Sequence, residues 1–160
     1  MYIKGRMISF DNDVEISFDD TFDIVKSEVK NGEKLDIDDA YYYISFVSDK
    51  MIKDYREETT YYFTHDEDNK LYEIEMHFNT HAYAGKDFES YLEFADYNKK
   101  FFNELREYLL EQFGKEKVVG NSDHGFTIKD GNLVLGLNTG RGFEHVNINI
   151  FSEDYPLLED

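Results

Sequence analysis

The sequence predicts an α+β domain: an antiparallel sheet of about six or seven strands, packed by one long and one short helix. Three observations carry this. Segments alternating apolar and polar residues recur along the chain, "DVEISFDD" and "HVNINIF" among them, and period two marks half-buried strands. A single stretch, Phe101 to Phe113, has apolar residues at 101, 102, 105, 108, 109 and 113, the 3.6-residue stripe of an amphipathic helix. Thirteen Tyr and 14 Phe in 160 residues supply enough ring to build a core, although 32% of the chain is charged.

Taken in order, Val14, Ile16 and Phe18 form the apolar face of a first strand. "DDTFDIVKSEVKNG" follows with Asp20 or Thr21 as N-cap, Phe22, Val25 and Val29 on one face, and Asn31-Gly32 as a stop, which together read as a short helix. "YYYISFVS" from Tyr41 to Ser48 is aromatic and β-branched, a strand composition. "DKMIKDYREE" reads as either a loop or a turn of helix.

"TTYYFTH" and "KLYEIEMHF" flank "DEDN", a hairpin link. Pairing His65 with Lys70 puts Phe63 opposite Tyr72 and Tyr61 opposite Ile74, with Met76 and Phe78 extending the apolar face. Tyr62, Glu73, Glu75 and His77 then share the other face, with Glu58 opposite His77. In "HGFTIKDGNLVLGL" an Asp130-Gly131 turn pairs Ile128 with Leu133 and Phe126 with Leu135, and sets His124 against Leu137 on the core side. The last strand turns Val146, Ile148 and Ile150 inward, and His145, Asn147 and Asn149 outward.

Between the hairpins Gly114 closes the long helix, while "KDFESYLEFADYN" upstream drifts around the axis and predicts a bend near Asp96 or two helices. The order strand, helix, three strands, helix, three strands suggests two helix-plus-three-strand units without residue-level similarity between them. No Pro- or Gly-rich linker divides the chain, so residues 1–153 read as a single domain. Residues 154–160, holding the sole proline, Pro156, read as a frayed tail.

Thirty-five acidic residues against 17 basic give a net charge of −18. The excess is spread along the chain, which argues against binding nucleic acid or an anionic membrane surface. It fits solubility, cation binding or attraction to a basic protein. Without cysteine, neither a disulfide nor a thiolate metal site can form. "MYIKGRMISF" has no apolar run of signal-peptide length, and no stretch nears the ~20 apolar residues of a membrane span. A cytoplasmic protein is expected.

Chemical motifs are few. His77 and His81 are four apart, which suits a zinc pair on a helix, yet this stretch reads as strand running into loop. No metal centre or other cofactor is expected. His77 and His81, with Glu58 or His65 as third ligand, are the residues that would contradict that. "DEDNKLYEIE" begins like a calcium loop, but Lys70 occupies a ligand position and Leu71 stands where glycine is needed. Ser122, Asp123 and His124 are adjacent, and neighbouring strand residues point to opposite faces, so no triad converges.

"NTGRGFEH" holds Arg141 between Gly140 and Gly142, where a guanidinium and nearby N–H groups could meet an anion, with Phe143 as an exposed anchor or folded back on the sheet. The tyrosine-rich acidic surface has an interface composition. No enzymatic motif survives, and none is expected.

The expectation is therefore an acidic, protein-binding inhibitor of the immunity or counter-defence type, with spaced carboxylates standing in for phosphates as a nucleic-acid mimic. It would act on a basic partner such as a nuclease or a DNA- or RNA-binding protein. Glu73, Glu75, Glu104, Glu107, Glu111, Tyr62, Arg141 and Phe143 are the expected contact residues. The alternative is a ligand-binding, metal-binding or oligomerising domain that uses the outer sheet face.

Overall fold

Along the chain, three short strands, β1 (Tyr2–Lys4), β2 (Met7–Ser9) and β3 (Glu15–Ser17), form a small antiparallel sheet and lead into helix α1 (Phe22–Glu28). A meander follows: β4 (Leu35–Asp38), β5 (Tyr43–Ile52), β6 (Tyr55–His65) and β7 (Leu71–Phe78). Helix α2 (Tyr91–Phe113) introduces a second meander of β8 (Val118–Asn121), β9 (Gly125–Asp130), β10 (Leu133–Thr139) and β11 (Val146–Ser152). This is a computed structural model, and it describes residues 2–4, 7–9, 15–29, 35–38, 43–52, 55–66, 68–78, 88 and 90–153. The proposed tail, 154–160, and His81 lie outside the described residues.

The two meanders meet through their last strands. The main sheet therefore runs β4-β5-β6-β7-β11-β10-β9-β8, with all neighbours antiparallel. The class is α+β, as the sequence predicts. Each helix precedes four strands of this sheet, not three, because short edge strands β4 and β8 add to the predicted set. Four-residue edges such as these carry little side-chain pattern of their own.

"DKMIKDYREE" is neither loop nor helix. Strands β5 and β6 continue through it until Ile52 stands opposite Tyr55, and the register sets Lys50 opposite Glu57 and Asp49 opposite Glu58. The sequence conceals a strand here because "DKMIKDYREE" has no regular alternation of apolar and polar residues.

Both predicted hairpin registers are displaced by two residues. In β6–β7, Asp66 Oδ1 accepts the Lys70 N–H at 2.8 Å, and Asn69 takes the left-handed conformation at φ 68°. With a bulge at Thr64/His65, this sets Phe63 opposite Ile74, Tyr61 opposite Met76 and Thr60, not Glu58, opposite His77. In β9–β10 the turn is Gly131-Asn132, with Gly131 at φ +62°, so Ile128 faces Leu135 and Phe126 faces Leu137. His124 thus precedes the strand, where its carbonyl accepts the Thr139 N–H at 3.0 Å. An even shift leaves side chains on their predicted faces. The exception is at the bulge, where His65 pairs with Leu71 and not Lys70, and Leu71 joins the core.

That core lies on one face of the sheet. Phe63, Ile74, Met76, Phe78, Phe126, Leu135, Leu137, Val146, Ile148 and Ile150 are buried there with Phe22 and Val25 of α1. Helix α2 adds Phe101, Phe102, Leu105 and Leu109. It is one continuous 23-residue helix without a break at Asp96. Ser90 caps it, accepting the Glu93 N–H at 3.2 Å, and Gly114 ends it at φ +87°. "SYLE" is the S-x-x-E signature of such a start. Phe94 and Asn98 extend the buried stripe backwards. The apparent drift arises because Asn98, fully buried, reads in the sequence as a polar interruption.

Phe101 is fully buried and meets Phe78 edge-to-face, ring centroids 5.2 Å apart. Phe101→Ala should lower unfolding free energy by about 3–5 kcal/mol, the usual range for emptying such a site. Urea denaturation measures this, and a loss comparable to a surface substitution would show that α2 does not pack here.

Candidate functional site

The outer face of the sheet presents alternate residues of its central strands. Thr60, Tyr62 and Thr64 come from β6, Glu73, Glu75 and His77 from β7, and Asn147, Asn149 and Phe151 from β11, all half-buried. The registers that align core residues beneath set Glu75 between Tyr62 and Asn149, and His77 between Thr60 and Asn147. Helices α1 and α2 pack on the opposite face, so among the described residues this polar surface is built by the sheet.

Its side chains form one network. Asn149 Nδ2 donates to Glu73 Oε1 at 3.0 Å and to Glu75 Oε1 at 2.9 Å. Asn147 Nδ2 donates to Asn149 Oδ1 at 3.1 Å, which fixes the amide that bridges the carboxylates. His77 Nε2 donates to Glu75 Oε2 at 3.1 Å, and the His77 ring stands edge-on to Tyr62, centroids 5.0 Å apart. Asn147 Oδ1 is buried and has no hydrogen-bond partner. The hydrogen bond from His77, its nearby charge and the bond from Asn149 outweigh burial and hold the Glu75 carboxyl below its ordinary value. One amide nitrogen of Asn149 thus bridges the two carboxylates and holds them side by side.

The other expected contact residues lie elsewhere. Glu104, Glu107 and Glu111 share one side of α2, with Glu104 half-buried and the other two exposed. Arg141 is exposed on the β10–β11 loop, and Phe143 folds back against the core. Two of this loop's N–H groups are engaged within it: Gly142 N–H goes to Glu144 Oε2 at 3.2 Å and Phe143 N–H to the Gly140 carbonyl at 2.9 Å. Backbone N–H groups, its own and that of Gly142, hold the Glu144 carboxyl below its usual range.

Asn147, Asn149 and Asn98 are the functional side chains that sequence pattern passes over, since an outward Asn on a strand or an inward Asn on a helix carries no period of its own. His65 is buried on the core side against Phe22, ring centroids 5.3 Å apart. Among the described residues no three His, Asp or Glu side chains converge as metal ligands.

Comparison with protein-family models, with curated proteins and with solved structures finds no match. The functional reading rests on the residues themselves.

Because the Glu75 pKa is depressed in the fold, its ionised form stabilises the native state above the unfolded carboxylate value, about 4.3. That stabilisation should disappear as pH falls through the depressed value. Glu75→Gln should therefore be less stable than the parent at pH 6, with the difference closing in acid. Urea midpoints of both proteins across pH 2 to 7 test this, and a constant difference would contradict it.

Proposed function

We propose that the protein is a binding protein that holds a basic protein partner on the outer face of its central strands. The observation that carries this reading is the network of Glu73, Asn149, Glu75 and His77. It presents two carboxylates in fixed positions beside a tyrosine ring, on a patch whose outward residues from Thr60 to Thr64, Glu73 to His77 and Asn147 to Phe151 include no lysine or arginine. A guanidinium or ammonium docking there finds two carboxylates whose side-chain entropy is already spent. Acceptors held in place in this way bind a cation without a further ordering cost.

The partner its charge fits is a nuclease or another nucleic-acid-binding protein, whose cationic groove is shaped for phosphates. A surface of carboxylates that fills such a groove would inhibit it. The chain's −18 charge adds long-range steering. Glu104, Glu107 and Glu111 on α2 lie on the helix side of the sheet and serve that steering without touching the partner.

Affinity capture with the tagged protein, washed at about 100 mM and then about 500 mM salt, tests the reading. A basic nucleic-acid enzyme should be retained at low salt and released at high salt. Glu73→Lys with Glu75→Lys should abolish its capture, while reversing Glu104, Glu107 and Glu111 together should reduce it only modestly. Undiminished capture by the folded sheet-face variant would overturn the proposal.

A further inference from the structure

We infer that a second site of opposite charge lies where α2 meets the β8–β9 turn and the β10–β11 loop. It is a cleft that takes a small organic oxyanion, a phosphate or carboxylate carried on an apolar group. Its walls are Lys99, Asn103 and Arg106 from the helix, Asp123 and His124 from the turn, and Phe143 from the loop, around a space of about 310 Å³. That is the lower end of the range for small-molecule sites.

Three independent features point to a ligand. The first is charge. Lys99, Asn103 and Arg106 follow i, i+4, i+7 spacing and so share one face of the helix. Among the described residues neither Lys99 nor Arg106 forms an ion pair, although carboxylates outnumber cations two to one in this chain. Two cations face the cleft against the single carboxylate of Asp123. Arg106 offers a planar fork suited to an oxyanion, and Lys99 a mobile point charge.

The second feature is His124. Its ring lines the cleft beside Phe143, and its buried Nδ1 has no hydrogen-bond partner in the fold to hold the ring in place.

The third is Phe143. Its ring lies 5.0 Å from that of His124, centroid to centroid, and 5.7 Å from Lys99 Nζ. The backbone is left-handed here, φ 56°, a conformation that crowds the Cβ of a bulky residue. Two side chains of α2 hold it there: Asn98 Nδ2 donates to the Phe143 carbonyl at 2.6 Å, and the Tyr91 hydroxyl to that of Gly142 at 3.1 Å. A Cβ at Gly142 would meet the ends of the Tyr91 and Glu144 side chains and would have to displace the Tyr91 hydroxyl that makes this clamp. The arrangement holds an aromatic surface between a cation and an imidazole, as a floor for the apolar part of a ligand. Asp123 at the rim opposes a second negative charge, which favours a ligand with one anionic head group.

The test is ¹H–¹⁵N NMR of the whole chain titrated with inorganic phosphate, phenyl phosphate, acetate and benzoate at constant ionic strength. Saturable shifts are expected at Lys99, Asn103, Arg106, His124 and Phe143. The phenyl-bearing probes should bind about threefold to tenfold tighter than their parents, the contribution of one aromatic contact. The tighter of the phosphate and carboxylate pairs identifies the head group. Arg106→Gln, at a half-exposed helix position, should weaken every probe about tenfold or more. Phe143→Ala should erase the preference for phenyl, and Lys115→Gln, outside the cleft, should change nothing. Shifts that never saturate, or that persist undiminished in folded Arg106→Gln, would overturn the assignment.

Discussion

The structure depends above all on the pairing of β7 with β11. Through it two four-stranded meanders become one sheet, and its register decides both faces at once. Ile74 against Ile150, Met76 against Ile148 and Phe78 against Val146 are the core rungs. The intervening rungs, Glu73 against Phe151, Glu75 against Asn149 and His77 against Asn147, are the polar network. A slip of one residue would exchange the two sets, burying carboxylates and exposing isoleucines. The cost of that exchange makes the acidic face as well determined as the core beneath it.

Much of the fold is legible in the sequence because its signals are local. Alternation in "HVNINIF" places Val146, Ile148 and Ile150 inside, and the stripe from Phe101 to Phe113 gives the packing face of α2. What escapes depends on contacts distant along the chain, or on the conformation of single turn residues. Glu75 and Asn149 are 74 residues apart, so no window of sequence joins them. The hairpin registers turn on Asn69 and Gly131 adopting positive φ and on one bulge, and composition alone does not choose between adjacent turn positions. Binary pattern protects against these errors, since shifts by two preserve the faces. That is the reason the predicted core survives while the predicted partners do not.

Asn98 shows how a polar residue can mislead a periodicity argument and be informative for the same reason. In the sequence it breaks the apolar stripe of α2. In the fold it is fully buried, and its amide fixes the carbonyl of Phe143 across 45 residues. An apolar residue would pack the helix equally well but leave that carbonyl unmet. The position serves the loop more than the helix, which connects the packing of α2 to the conformation of Phe143 at the cleft.

Electrostatically the molecule is divided. Surface ion pairs contribute little to stability, about 0–1 kcal/mol each, but with 35 acidic residues to 17 basic ones most cations have a carboxylate to meet. Lys117 with Asp130 at 2.8 Å and Lys129 with Glu153 at 2.7 Å behave in this way. Lys99 and Arg106 depart from that pattern on a helix that also bears Glu104 and Glu107, both of which have partners. Net charge cannot explain a cationic cleft in a chain of −18, since the field of the whole molecule repels anions from it. Any affinity there must come from short-range, fixed donors acting within one Debye length, about 8 Å at physiological salt. The outer sheet face works with the overall field and the cleft works against it. Salt should therefore weaken the first strongly, while at the second it screens the repulsion as well as the attraction.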